Sequence, residues 1–229
     1  MRRFRRHQRS NEPEETYALS ISDLMSSLLT IFILSLTYYI LSYSEARAEL
    51  VDNQSRRTEI LLALQAELQA KGIVVEVDYG QGVLHLPEGI LFPKGDASLK
   101  ESGKEVIRVL APALRMVLDD ADYASRIDTI FIEGHTDSDP VVSGRYASNW
   151  ELSTQRAINT WREMVKVEPS LEYKVNALGQ PLFSVSGYAD RRPVEAGESE
   201  EAKSKNRRID LRFTMMAPRA DEGSSGSGR

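Results

Sequence analysis

Residues 127–137 read IDTIFIEGHTD, an apolar run that stops at a glycine and gives way to polar groups. The run predicts a strand over Ile127–Glu133 in a buried position. Gly134 at its end permits an unusual backbone turn, which brings the oxygens of Thr136 and Asp137 to the rim of the sheet. A plainer role for Asp137 is to cap nearby amides within that turn. Toward the C-terminus, Ser148-Asn149-Trp150-Glu151 carries the spacing of a capping box and starts a helix predicted to run through about Val165. Val185–Tyr188 reads as a short strand, Ala202–Arg207 as a helical turn or two, and Ile209–Met215 (IDLRFTM) alternates as a final strand. Toward the N-terminus, Leu99–Leu118 has helical spacing at Val106, Ile107, Leu110 and Leu114, with Pro112 as a kink point. Ile73–Asp78 and Val83–Leu86 read as strands joined through Tyr79-Gly80-Gln81-Gly82. Interleaved strands and helices predict an α/β sandwich over residues 73–216.

The chain has 229 residues, which suits one domain plus attachments. Hydrophobic content of 41% and charged content of 28% fit a globular protein. With no cysteine, disulfides, thiolate catalysis and cysteine-ligated metal sites are excluded. Charge is polarised along the chain. Five of its 29 basic residues (Arg2, Arg3, Arg5, Arg6, Arg9) fall in the first ten, leaving 24 against 34 acidic ones. So acidic a body is a poor match for nucleic acid. The final stretch, 217–229, is small, polar and rich in glycine and serine, and is expected to be disordered.

From Leu24 to Ser44 no formal charge appears: LMSSLLTIFILSLTYYILSYS. This predicts a transmembrane helix over 17–44, behind a basic cytoplasmic tail at 1–16. A cleaved signal peptide is the rival reading. The run is too long for a typical signal core, and Tyr38, Tyr39 and Tyr43 suit the outer interface. Asp23 sits just inside the cytoplasmic end. A carboxylate at a membrane centre costs ~2.5–3.5 kcal/mol by insertion scales, so its presence needs a reason. Ser20, Asp23, Ser27, Thr30 and Thr37 recur at three- and four-residue steps and share one face. Such a stripe suits a site that takes up and releases a proton or sodium ion, with Ser27 and Thr30 on the ion path; a structural polar contact is the equal alternative. Residues 45–72 are rich in helix formers and end at Gly72, which predicts a helical linker. Leu61, Leu64 and Leu68 within it are candidates for a short dimer seam.

Four blocks then occur in order: Gly134-His135-Thr136-Asp137; Ser148-Asn149-Trp150-Glu151-Leu152-Ser153-Thr154-Gln155-Arg156; Gly187-Tyr188-Ala189-Asp190-Arg191-Arg192-Pro193; and Lys205-Asn206-Arg207-Arg208-Ile209-Asp210-Leu211. Together with Phe92-Pro93-Lys94-Gly95-Asp96-Ala97-Ser98-Leu99, they resemble the OmpA/MotB family of peptidoglycan-binding domains. The resemblance covers roughly Ile73 to Thr214, and the SNWELS form is nearer to the MotB branch. Ser22-Asp23-Leu24-Met25 is similar to the family's acid-bearing membrane segment, with Ser22 in place of the commoner alanine.

The resemblance implies an α/β OmpA-like domain behind a single membrane helix, in the inner membrane with the domain in the periplasm. It implies that Asp137 and Arg156 grip the diaminopimelate residue of the stem peptide, with Thr136, Asn149 and Leu152 shaping the pocket. A carboxylate suits the ligand's ammonium, and a planar guanidinium forks onto its carboxylate. For Arg207 and Arg208, bracing of the sheet edge is at least as good a reading, and His135 reads as a packing residue. Three histidines (His7, His85, His135) make a histidine-rich metal site implausible. The implied partners are a second copy of the chain, a ring of multi-pass A-type subunits expected in five copies, the membrane and peptidoglycan. The implied role is the B subunit of a proton- or sodium-driven motor, with Asp23 as ion carrier and no other cofactor. The short linker resembles Zorya-type antiphage defence motors more than flagellar stators. A passive OmpA-like wall tether is the alternative of another class. No serine–histidine–aspartate set, phosphate loop or metal cluster points to an enzyme.

Overall fold

A computed structural model describes residues 12–141 and 144–218. Most of the basic tail (1–11) and of the glycine–serine tail (219–229) therefore lies outside the described residues. The chain divides into two compact units, one up to Glu49 and one over Leu50–Pro218. Each is described by itself.

The first unit holds the start of α1 (Glu12–Ala70), a helix long and apolar enough to cross a membrane. Leu24, Leu28, Ile31, Phe32, Ile33 and Leu36 are all exposed, and they occupy the side of the helix away from the Asp23 stripe. So wide an exposed apolar face needs lipid or a protein neighbour against it. The hydroxyls on it bond back to carbonyls one turn earlier, Ser26 to Ser22, Thr30 to Ser26 and Thr37 to Ile33, each at 2.8 Å. In an apolar medium this satisfies a group that water cannot reach.

The second unit is a five-stranded sheet in the order β1-β2-β5-β3-β4. Strands β1 (Glu76–Asp78), β2 (Val83–Pro87), β5 (Arg208–Met215) and β3 (Ile127–His135) pair antiparallel in turn, and β4 (Phe183–Gly187) runs parallel to β3. The helices are α2 (Glu88–Leu91), α3 (Glu101–Asp119), α4 (Ala121–Ala124), α5 (Asn149–Val167) and α6 (Glu200–Asn206). One face of the sheet supplies Leu84, Leu86, Ile130, Ile132, Leu211 and Phe213 to the core, where they meet Ile107, Leu110 and Leu114 of α3 and Ala157 and Met164 of α5. Strand periodicity of two and the amphipathic stripe of α3 thus meet as expected. Helix α3 continues through Pro112.

The leucine stripe of residues 61–68 is not a dimer seam. Ile60, Leu61, Leu64 and Leu68 are fully buried in the core of this same unit. The helix is held there by Arg57, whose Nη2 donates to Gly80 O at 2.9 Å, and by Asn53, whose Nδ2 donates to Met216 O at 3.0 Å. It ends in a left-handed cap: Gly72 has φ +74°, its N–H donates to Gln69 O, and Ile73 N–H donates to Leu68 O. That second bond uses the amide that a strand would need, so β1 begins at Glu76 rather than at Ile73.

The opposite face of the sheet carries charge. Asp210 is buried and meets His85 Nδ1 at 2.6 Å and Arg208 Nε at 3.0 Å, while the Arg212 fork holds Glu133 at 2.9 and 3.0 Å. His135 lies 3.2 Å from Asp210 without hydrogen-bond geometry, under a stacked Tyr188 ring. Glu133, His135 and Asp210 are close enough to share a metal ion. Their carboxylates are already paired with the guanidinium groups of Arg208 and Arg212, which leaves the group ill suited to a cation.

Burial acts to raise the Asp210 pKa, but the contacts with His85 and Arg208 outweigh it and hold the carboxyl well below the usual range. Burial pushes His135 down. Both shifts act in one direction. Asp210 contributes fully above about pH 4 and loses its contribution as pH falls through its lower folded value. Lowered in the fold, His135 takes up its proton at lower pH than the unfolded chain, which does so near pH ~6.5, so stability declines below that point. Glu88, raised chiefly by burial, works the other way. The difference between wild type and His135→Phe isolates the histidine. The thermal midpoint of His135→Phe should fall less than that of the wild type between about pH 7 and about pH 5, and identical slopes would contradict this.

Candidate functional site

The site is assembled where β3 ends under the first turns of α5. Thr136 N donates to Ala189 O at 2.9 Å, which ties the segment after β3 to the segment after β4. Ala189 has φ +51°, the one positive φ outside glycine among the described residues. Helix α5 can approach because the strand ends lack side chains. A Cβ on Gly134 would lie 2.0 Å from Ser153 O, and one on Gly187 would lie 2.5 Å from Thr154 N. Ser148 caps α5 by accepting from Glu151 N at 3.4 Å, and Glu151 reaches back to Ala147 N at 2.8 Å. The helix then presents Asn149, Leu152 and Arg156, at i, i+3 and i+7, along one face.

These three residues line a cleft of about 350 Å³ together with Thr136 and Asp137, so all five residues expected to bind the wall are brought together. The cleft also includes Glu88, Lys94, Asp139 and Arg207. Asp137 is not free at its rim. Its Oδ2 accepts from Arg207 Nη1 at 2.6 Å, and its Oδ1 accepts from Asp139 N at 3.2 Å. Asn149 Nδ2 donates to Asp139 O at 2.9 Å and fixes the loop.

Arg156 is only 2% exposed. Its Nη2 meets Glu88 Oε1 at 2.5 Å and Pro93 O at 3.3 Å, its Nε donates to Asp96 O at 2.9 Å, and the guanidinium lies 5.4 Å from the Phe92 ring centre. This explains why a segment such as Phe92–Leu99 belongs to the site. It wraps the arginine in carbonyls and an aromatic face, and turns at Gly95 with φ +70°. Glu88, 4% exposed, has a second oxygen with no hydrogen bond and with Arg207 Nε at 3.6 Å. Burial raises the Glu88 pKa against the pull of Arg156, and burial lowers that of Arg156 against the pull of Glu88. Arg156 nonetheless stays charged.

The cleft therefore presents both signs at close range, with Asp137, Asp139 and Glu88 against Lys94, Arg156 and Arg207. That is the complement of a zwitterion, with an ammonium on the carboxylates and a carboxylate on the guanidinium groups. Of the paired arginines, only Arg208 has the bracing role; Arg207 lines the cleft and holds Asp137. Glu88 escaped the sequence reading because nothing around Pro87-Glu88-Gly89 marks it; only the fold brings it to Arg156. In the other unit, Asp23, Ser27 and Thr30 are exposed on α1, with Ser27 one turn beyond Asp23.

The sequence pattern of the OmpA family matches residues 91–207. Motility protein B of Bacillus subtilis (strain 168) is 33% identical over 132 residues, or 58% of this chain and 46% of that protein. Zorya protein ZorB of Escherichia coli O139:H28 is 24% identical over 216 residues, or 91% of this chain and 84% of that protein. The chain thus spans about half the length of the Bacillus relative and most of ZorB. Among solved structures, a putative MotB like protein from Desulfovibrio vulgaris shares the fold, with a TM-score of 0.55 at 20% identity over 77% of this chain and 99% of that one.

Proposed function

This chain belongs to the OmpA family, and from that membership we propose that it is the B subunit of an ion-driven inner-membrane motor, moored to peptidoglycan through the cleft around Asp137. The observation that carries the reading is the pairing, in one chain, of that two-signed cleft with a membrane-length helix that has an acid at its start. In this reading α1 crosses the inner membrane once, the N-terminus is cytoplasmic and the sheet domain faces the wall. Asp23 alternates between an ionised state and a neutral one, protonated or sodium-bound, with Ser27 and Thr30 beside its path. Two copies pair their helices inside a ring of five multi-pass A-type subunits. Each charge that crosses at 100 mV supplies ~2.3 kcal/mol, enough to bias a step of the ring. The chain binds and transmits force, and no residue is assigned to catalysis.

A Zorya-type defence motor is favoured because the ZorB alignment takes in the membrane helix as well as the domain, over 91% of the chain. A flagellar stator is the second reading, favoured by the higher identity to motility protein B, 33%.

Co-sedimentation of the full chain with purified sacculi tests the mooring. Asp137→Ala removes the cleft acid and its bond to Arg207 without emptying the hydrophobic core, so it should lose wall binding by tenfold or more, roughly the loss of one charge-assisted contact, while the fold survives. Undiminished sedimentation of Asp137→Ala would remove the cleft from the account.

A further inference from the structure

A second concavity lies on the neighbouring stripe of α5. It holds about 510 Å³ and is lined by Arg145, Tyr146, Trp150, Glu151, Thr154 and Gln155. Glu151 and Gln155 each precede a cleft residue, Leu152 and Arg156, by one position, so the two concavities are set side by side on one helix. They are also linked through shared groups. Asp96 gives its side chain to Arg145 at 3.0 Å and its carbonyl to Arg156 at 2.9 Å.

Trp150 is the unusual member. It leaves 49% of its surface exposed, whereas the chain's other tryptophan, Trp161, packs on Phe183 at 4.7 Å. Among the described residues its indole N–H has no hydrogen-bond partner. An indole kept in water at the first turn of a helix forgoes the free energy of burial, about 25 cal/mol per Å² of apolar area. The groups around it are polar. Gln155 Nε2 is spent on Asn159 at 2.9 Å, which leaves its carbonyl oxygen as an acceptor, and Arg145 supplies donors. A flat aromatic face ringed by separated donors and acceptors matches a pyranose, which offers C–H groups on its face and hydroxyl and acetamido groups at its edge. The C–H groups carry partial positive charge toward the negative face of the ring.

We propose that this groove is a saccharide subsite, in which an N-acetylated hexosamine of the wall glycan stacks on Trp150 while the stem peptide it carries enters the adjoining cleft. The assignment rests on the proposed wall binding, and it fits the covalent order of the polymer, in which every stem peptide hangs from a sugar.

The test compares two soluble probes, a disaccharide–tetrapeptide and the free tetrapeptide, titrated into the full chain in detergent micelles. Wild type should bind the sugar-bearing probe roughly tenfold more tightly, the loss expected when one aromatic anchor is removed from an interface. Trp150→Ala should erase that difference and leave the free tetrapeptide within about twofold, while Trp150→Tyr should keep most of it. In a Trp161→Phe background, the fluorescence of Trp150 should respond to the sugar-bearing probe alone. A wild type that binds both probes equally, or a Trp150→Ala variant that keeps the full preference, overturns the subsite and leaves the cleft standing. A wild type that binds neither probe overturns the cleft, and the subsite with it.

Discussion

Asp23→Asn is expected to abolish ion-driven work in the cell. Asparagine has nearly the same shape and hydrogen-bonding reach as aspartate, but it cannot exchange a proton or balance a sodium ion. An acid within an apolar helix carries a cost of ~2.5–3.5 kcal/mol at the membrane centre by insertion scales, so the substitution should if anything ease insertion. The helix, with its back-bonded hydroxyls at Ser26, Thr30 and Thr37, has no need of the charge to form. The variant should therefore reach the membrane fraction and sediment with sacculi like the wild type, while phage protection or swimming, whichever the wild type supports, drops to background. Full activity of Asp23→Asn would reduce the protein to a passive tether.

Arg156→Ala is expected to damage folding and binding together. The side chain is buried, and its loss leaves Glu88 charged, desolvated and without its main partner. Breaking a buried pair on one side costs ~3–5 kcal/mol, a large part of the stability of a domain this size. Glu88 can escape by protonating, which is easier because burial already raises its pKa. The double variant Arg156→Ala/Glu88→Gln should therefore recover part of the lost stability in urea denaturation and none of the sacculus binding. Equal stability of Arg156→Ala and wild type would show that the pair is not buried in solution. The contrast with Asp137→Ala is the informative part, because the rim acid should affect binding alone.

Where the sequence was readable, a local rule and the tertiary environment agreed. The run 127–133 became β3, Ser148 and Glu151 capped α5, and Gly72 closed α1 in the left-handed conformation. Two readings failed for the same reason. The leucines at 61, 64 and 68 have a spacing that serves a helix partner and a sheet core equally well, and only the fold decides which one covers them. Arg207 and Arg208 are adjacent and chemically identical, yet at the junction of α6 and β5 their side chains diverge, one to the cleft and the other to Asp210. Glu88 lies 68 positions from Arg156, and no local pattern relates residues so far apart.

The account turns on a cleft that reads both charges of a free amino-acid end, and calorimetric titration with blocked stem peptides tests this most directly. Peptides ending in diaminopimelate with both its ammonium and its carboxylate free should bind the full chain. Acetylation of that amine, or amidation of that carboxylate, should each weaken binding by tenfold or more, since each removes one charge-assisted contact with the cleft. Equal affinity for the free and the doubly blocked peptide would contradict the account.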